Sequence, residues 1–391
     1  MPTYRITILP GDGTGPEVMK EAEKLLDCIE NNSNLQFDRT HIPCGGQYWL
    51  ETGEEWPAGS FEHCRDNSDA ILLGAIGWPG ANLPNGDLAG GQVILGLRSG
   101  LNLYANVRPI KLYDGVKHKI HDEFTQVWDP KNVDLLVLRE NTEGLYHSLL
   151  RRSALRAQGI EPKEAEDMVF DGIEGEVAWD NRPISKNGSE KLIRLGFEYA
   201  IRRNGSPIDG SSSVTCVDKS NVTRGCQLFR RVFHEIGEEF PDIGKEEAYI
   251  DAFTMWLVRN PEWFDVVVTS NMFGDIVTDL GSVLQGGMGM AASANIGDNH
   301  GLFEPVHGSS PKHAGKGKVN PIATLNSVQM MIEWLGIRND DDEATQVSKL
   351  IEQAISEHLK EGSIMTYDLG GSASTSEVGT NVVKHLSALF E

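Results

Sequence analysis

Short apolar runs alternate with amphipathic stretches along the chain. Residues 4–9, 70–76, 133–138, 214–217 and 264–268 are rich in β-branched and leucine side chains and read as buried strands. A stretch from about residue 17 to 30 reads as an amphipathic helix, and 189–204, 275–284, 321–336 and 344–360 read as further helices. A strand, a glycine turn and a helix form the opening unit of an α/β sheet. The turn itself, Pro10-Gly11-Asp12-Gly13-Thr14-Gly15-Pro16-Glu17, is not a dinucleotide fingerprint. Glu17 or Val18 stands where a third glycine or alanine would fall, so no Rossmann domain is expected. Residues 80–92 read as a loop rich in Gly, Asn and Asp. Residues 149–190 are polar with no long core pattern, and read as an arm or a dimer clasp.

Composition narrows the class. A chain of 391 residues has room for two domains and a large core. Its formal net charge of -22 argues against nucleic acid or an anionic membrane as partner. The same excess of acid makes any arginine cluster informative, because an acidic ligand needs local positive charge. No apolar run is long enough to span a membrane and the start lacks a signal-peptide pattern, so a cytoplasmic enzyme is expected. The cysteines at 28, 44, 64, 216 and 226 are odd in number without C-x-x-C, which reads as reduced thiols.

The candidate chemistry centres on Ser270-Asn271-Met272-Phe273-Gly274-Asp275-Ile276-Val277-Thr278-Asp279-Leu280. On a helix, Asp275 and Asp279 share one face one turn apart. Adjacent carboxylates repel unless a cation or basic group lies between them, and a hard divalent ion such as magnesium suits oxygen ligands. Gln285-Gly286-Gly287-Met288-Gly289-Met290 follows, reading as a hinge or a tight approach. Arg98, Arg108 and Arg139 sit at or beside ends of apolar segments, and their guanidinium forks match a di- or tricarboxylate. Lys219 follows a strand, and a functional lysine there needs lowered basicity. Asp251 heads an apolar helix as an N-cap or a ligand. The loop around His307, Gly308 and Ser309, with the lysine- and glycine-rich 312–320, has the backbone N–H groups, hydroxyls and cations to hold a diphosphate.

These segments resemble the metal-dependent β-decarboxylating dehydrogenases of isocitrate, 3-isopropylmalate, homoisocitrate, tartrate and D-malate. The resemblance runs through LPGDGTGPEV, ANVRP, RENTEGLY, DKSNV, SNMFGDIVTDLG, FEPVHGSSP and AGKGKVNP. It implies an α/β, non-Rossmann fold of two domains sharing a mixed sheet: a large nucleotide-binding domain from residues 1–103 and 286–391, and a small domain from 104–285 that carries the dimer interface and arm. By the same resemblance Arg98, Arg108 and Arg139 bind substrate carboxylates, with Gln92, Ile94, Leu95, Asn221 and Val222 lining the substrate. Tyr146 is the catalytic acid and Lys219 the catalytic lysine. Asp251, Asp275 and Asp279 hold Mg2+ or Mn2+. Glu304, His307, Gly308, Ser309, Lys312, His313, Val319, Asn320, Tyr367 and Asp368 surround the nucleotide. Lys219 and Asp251 come from the neighbouring subunit of a homodimer with shared active sites.

Within that family, substrate choice lies in the short helix before Arg98. Isocitrate enzymes carry a serine and an asparagine where Gln92 and Ile94 stand. Isopropylmalate enzymes carry a glutamate at the position of Gly91 and two leucines at Ile94 and Leu95, so only the apolar pair is similar. STSEVG and Pro261-Glu262-Trp263-Phe264-Asp265 resemble the tartrate and D-malate branch. An (R)-malate with a small or apolar C3 group is therefore expected. For the cofactor, NAD-using members place an aspartate where Lys312 stands, whereas Lys312, Val319 and Tyr367 match the NADP pattern, whose further arginine is Gly371 here. NADP is preferred over NAD on that basis. A non-catalytic regulatory subunit is the alternative, and it would be marked by loss of Tyr146, Lys219 or an aspartate.

Overall fold

The computed structural model describes residues 3–84, 86–147, 150 and 180–391. Most of the expected arm or clasp, residues 151–179, lies outside the described residues. The strands are β1 (Thr3–Leu9), β2 (Gln36–His41), β3 (Ala70–Leu73), β4 (Ala105–Lys111), β5 (His118–Ile120), β6 (Glu123–Thr125), β7 (Asp134–Glu140), β8 (Ser213–Asp218), β9 (Gly244–Tyr249), β10 (Val266–Thr269), β11 (Ala292–Ile296) and β12 (Gly301–Pro305). Ten of them form one mixed sheet in the order β2-β1-β3-β12-β11-β4-β7-β10-β8-β9, and β5 and β6 pair as a separate hairpin. The outer strands on each side run parallel to their neighbours. The pairs β12–β11, β11–β4 and β4–β7 are antiparallel, so strand direction reverses in the middle of the sheet. The hydrophobic runs of β3, β8 and β10 are buried at every residue, as strands covered on both faces must be.

The helices are α1 (Gly15–Asn32), α2 (Gly46–Thr52), α3 (Ser60–Asp66), α4 (Gly91–Gly100), α5 (Lys186–Arg202), α6 (Arg224–Gly237), α7 (Ile250–Arg259), α8 (Asn271–Leu284), α9 (Ile322–Arg338), α10 (Asp342–Glu361) and α11 (Thr375–Phe390). α1 carries Pro16 and Glu17 in its first turn, and buries Val18, Met19, Ala22, Leu25, Leu26 and Ile29 at helical spacing. α11 starts on a capping box between Ser374 and Glu377, which satisfies two otherwise orphaned backbone donors. All five cysteines are buried and free.

Four of the differences from the sequence reading have a clear local reason. The strand expected over 70–76 stops at Leu73. Beyond it the backbone turns to Asp12, whose N–H donates to Ala75 O at 2.7 Å and whose carboxylate accepts from Gly77 N at 2.8 Å. The loop expected over 80–92 ends early, because α4 starts at Gly91 after Gly90 in a left-handed conformation (φ 100°), and Arg98 lies inside this helix. The strand expected from residue 264 begins at Val266, after a 3-10 turn over Pro261–Trp263. Asp251 is not an N-cap: Tyr249 holds that position, and the Asp251 carboxylate in the first turn of α7 goes to Lys219 instead.

Candidate active site

Three elements bring three guanidinium groups together. Arg98 sits in the last turn of α4, Arg108 in β4 and Arg139 near the end of β7. All three are buried, at 8%, 6% and 3% exposure, which sets them apart from surface arginines. Their packing is visible in their acidity. Burial, then the neighbouring charges of Arg108 and Arg98, push Arg139 down to about 9. Arg108 is lowered by burial and then by Arg98. Mutually repelling buried cations form a site prepared for anions.

α8 carries the carboxylates to these arginines. Arg139 pairs with Asp275, and its Nε and Nη2 donate to Asn271 Oδ1 at 3.1 and 2.7 Å. Arg108 lies 3.6 Å from Asp275 and 3.5 Å from Asp279, and its Nη1 donates to Thr278 Oγ1 at 2.6 Å. One guanidinium therefore faces both aspartates, as their shared helix face requires. The close approach explains Gly274: a β-carbon there would meet Arg139 Cγ at 2.6 Å. Burial raises the Asp279 carboxyl above its ordinary value. Tyr146, in the 3-10 turn Gly144–Tyr146, donates its hydroxyl to Asp275 Oδ2 at 3.1 Å. Burial and then the charge of Asp275 raise its phenol, which keeps the proton on oxygen. Arg139 also lies over the Tyr146 ring, 5.7 Å from its centre.

Lys219 and Asp251 form a second group. Lys219 Nζ donates to Asp251 Oδ1 at 2.6 Å, and this bond holds the exposed carboxyl below its ordinary value. Asn221 and Val222 are exposed in the turn after Lys219. Within one chain Asp251 does not join Asp275 and Asp279: no group of three His, Cys, Asp or Glu among the described residues is placed to hold a metal ion.

Of the residues expected around a nucleotide, Ser309 packs on the first glycine turn and others pair among themselves. Thr14 donates through its N–H and Oγ1 to Ser309 O at 2.9 and 3.1 Å. Glu17 accepts from Gly317 N at 2.9 Å and from Gly315 N, pinning the 315–317 loop to the start of α1. His307 stands beside exposed Gly308, and Val319 is buried. His313 stacks on Tyr367, with ring centres 5.3 Å apart. Asn320 Nδ2 donates to Asp368 Oδ2 at 3.1 Å. Gly289 passes so close that a β-carbon would meet Asp368 Oδ2 at 2.7 Å and Asn320 Cβ at 2.9 Å, which is the tight approach expected of the 285–290 stretch. Lys312 is exposed and forms no ion pair among the described residues. On α4, half-buried Ile94 lies one turn before Arg98, beside half-buried Leu95, and Gln92 N donates to Glu55 at 3.1 Å.

Several residues that build the site were not singled out by the sequence reading: Asp12, Glu17, Asn106, Asn271, Thr278 and Asn295. A polar side chain inside an otherwise apolar strand, as at Asn106 and Asn295, is the one signal that was available.

Clustered buried arginines over paired helix carboxylates define a protein built to hold a small anionic ligand, and comparison with known proteins gives the family. Residues 5–382 match the isocitrate/isopropylmalate dehydrogenase family. The chain is 38% identical over 389 residues to the 3-isopropylmalate dehydrogenase of Thermobifida fusca, covering 98% of each. It is 36% identical over 384 residues to the 3-isopropylmalate/3-methylmalate dehydrogenase of Methanocaldococcus jannaschii, covering 98% of this chain and 99% of that one. The crystal structure of isocitrate dehydrogenase from Methylococcus capsulatus aligns with a TM-score of 0.77 at 32% identity, covering 98% of this chain and 99% of that one. The chain belongs to the isocitrate/isopropylmalate dehydrogenase family. It is an oxidoreductase whose reaction includes decarboxylation.

Proposed function

We propose that this enzyme oxidises and decarboxylates an (R)-malate bearing a small apolar group at C3. The observation that carries the reading is the convergence of buried Arg98, Arg108 and Arg139 beside Asp275 and Tyr146. Arg98 Nε is buried without a hydrogen-bond partner among the described residues, a donor that a substrate carboxylate would satisfy. Ile94 and Leu95, on the helix that carries Arg98, offer apolar contact to the C3 group. The names of the Thermobifida and Methanocaldococcus relatives support alkyl-substituted malates ahead of isocitrate.

The donor set fits a hard divalent ion: Asp279 has as its nearest described cation Arg108, at 3.5 Å. Asp275 and Asp279, with the partner subunit's Asp251, would hold Mg2+ or Mn2+, which supplies Lewis acidity toward the C2 oxygen. The 304–320 loop, with Tyr367 and Asp368, would hold a nicotinamide dinucleotide, which would supply the hydride acceptor. The chain's own residues do the rest. The three arginines fix the carboxylates. The partner subunit's Lys219 takes the C2 hydroxyl proton as hydride leaves C2. Carbon dioxide then departs from the β-keto acid, and Tyr146 returns a proton to C3. The shared site supports a homodimer, since one chain alone leaves Lys219 and Asp251 apart from the other ligands.

The sheet order supports the two-domain division. Every strand on one side of the β11–β4 junction falls within 1–103 or 286–391, and every strand on the other side within 104–285. Lys312, exposed and without an acid partner, favours NADP over NAD.

The test is a panel of 3-isopropylmalate, 3-methylmalate, D-malate, tartrate, homoisocitrate and isocitrate, each with NADP and NAD plus magnesium or manganese, followed by the absorbance of the reduced cofactor. Turnover of the alkyl malates is expected, and activity confined to isocitrate would overturn the substrate assignment.

A further inference from the structure

We infer that Asn295 is a positioning residue that sets the spacing between Arg98 and Arg108. The two arginines come from different elements, α4 and β4. An unbroken line of side-chain hydrogen bonds joins them beneath the site. Arg98 Nη2 donates to Glu304 Oε1 at 2.7 Å, and Asn295 Nδ2 donates to the same oxygen at 2.9 Å. Asn295 Oδ1 accepts from Asn106 Nδ2 at 2.8 Å, and Asn106 Oδ1 accepts from Arg108 Nε at 2.5 Å. Asn141 Nδ2 adds a second donor to Asn295 Oδ1 at 3.0 Å.

Position and chemistry both require an amide at 295. In the sheet Asn295 is registered against Leu302 on one side and Asn106 on the other, and its side chain bridges to Glu304 on the neighbouring strand. Asn295 and Asn106 have 0% exposure, so water cannot replace a missing partner. Glu304 offers only acceptors on this side, while Asn106 and Asn141 present donors. Only a side chain with an acceptor and a donor on one short stem answers both. Aspartate would set a second carboxylate against Glu304, and serine is too short to span both neighbours. Without the bridge Glu304 loses a donor, and Arg98 is held by a carboxylate free to turn.

A dicarboxylate whose two ends engage Arg98 and Arg108 must match their separation. That separation is fixed through Asn295 rather than by either arginine's own element. The inference rests on the arginines binding substrate carboxylates as proposed above, and it deepens that reading.

The test is a double-mutant cycle of Asn295→Asp and Asn295→Ser, each with and without Glu304→Gln, in the full-length enzyme with 3-isopropylmalate. Asn295→Ser should raise KM by about tenfold or more while kcat stays within about threefold, because positioning of the substrate is lost rather than the reacting groups. Asn295→Asp with Glu304→Gln restores one acceptor and one donor across the contact, so the pair should be less damaging than the product of the singles. Should the aspartate variant fail to fold, the serine variant alone decides, by the same split. Additive effects, or a fall in kcat with KM unchanged, would overturn the inference. A wild type that turns over none of the malates sinks the proposed function instead. In that case crystal structures of wild type and Asn295→Ser still decide this point, because an unmoved Arg98–Arg108 spacing overturns it.

Discussion

The hydroxyl of Tyr146 donates to Asp275 Oδ2 at 3.1 Å, while Arg139 holds the other oxygen of the same carboxylate. The phenol is therefore kept protonated by burial and by the adjacent negative charge, and is oriented by a residue on α8. Tyr146→Phe should lower steady-state turnover by about a hundredfold or more, the usual contribution of a positioned acid. Rapid mixing should still show a first-turnover burst of reduced cofactor, with carbon dioxide or product release lagging. A variant altered only in substrate affinity would remove the acid role.

The proposed metal site on the two carboxylates of α8 predicts metal dependence. Chelation should abolish turnover, and magnesium or manganese should restore it. Asp279→Ala should lose at least about a hundredfold in activity, since the cation stabilises transition-state charge by several kcal/mol. Calorimetric titration of manganese gives a second reading that does not depend on turnover. Undiminished activity in a thoroughly chelated sample would refute the assignment.

The separation of Lys219 and Asp251 from Asp275 within one chain predicts complementation between subunits. Lys219→Ala and Tyr146→Phe homodimers should each be nearly inactive. After subunit exchange the mixed dimer carries one site with both wild-type residues, and activity should recover. Proven exchange without recovery would show that the sites are not shared.

The cofactor prediction turns on Lys312. Facing an adenosine 2′-phosphate, a lysine contributes a charge-assisted contact worth about ten- to a hundredfold in affinity. Lys312→Asp should lower kcat/KM for NADP by that factor and leave NAD unchanged or improved. The ratio of the two in wild type and variant is the measurement. A wild type that prefers NAD, with a ratio unmoved by the change, would leave Lys312 as a solvated side chain.

His358 predicts an acid-sensitive fold. It is 1% exposed, its Nδ1 lies 2.9 Å from Asn381 Nδ2, and its Nε2 has no hydrogen-bond partner among the described residues. Burial, then the neighbouring His385, push it down from 6.5 to about 4. The unfolded chain binds this proton first, so the stabilisation is complete above about 6.5 and is lost as the pH falls toward 4, at no more than about 1.4 kcal/mol per pH unit. Denaturant unfolding of wild type and His358→Gln at pH 7 and 5 should show a shallower pH dependence in the variant. Equal slopes would remove His358 from the acid response.

The elements of this fold were legible where the hydrophobic period was clean, as in β1, β10 and α8. The adjacency of Asp275 and Asp279 was likewise legible, because one helical turn fixes it. What the sequence did not disclose lies across long gaps. Glu17, in the turn that departs from the dinucleotide fingerprint, anchors Gly315 and Gly317 some three hundred residues on through its carboxylate. Asn106 and Asn295 meet only because β11 and β4 are sheet neighbours, and no periodicity marks that pairing. For Asp251 the sequence left an N-cap and a ligand open, because both head a helix alike; the structure puts it in the first turn of α7, bonded to Lys219.

β4 carries a consequence for how this enzyme can change. Asn106 and Arg108 project to one side of the strand and alternate with Val107, and β7 and β11 lock its register from both sides. An insertion or deletion inside this strand would damage folding and recognition in one event, so residues 105–111 are closed to gradual adjustment. Ile94 and Leu95 on α4 are half-buried and lie outside that lattice. If the proposed substrate contacts hold, tolerance for a new side group can accumulate on the helix by point substitution, while Asn106 and Arg108 stay fixed in the sheet.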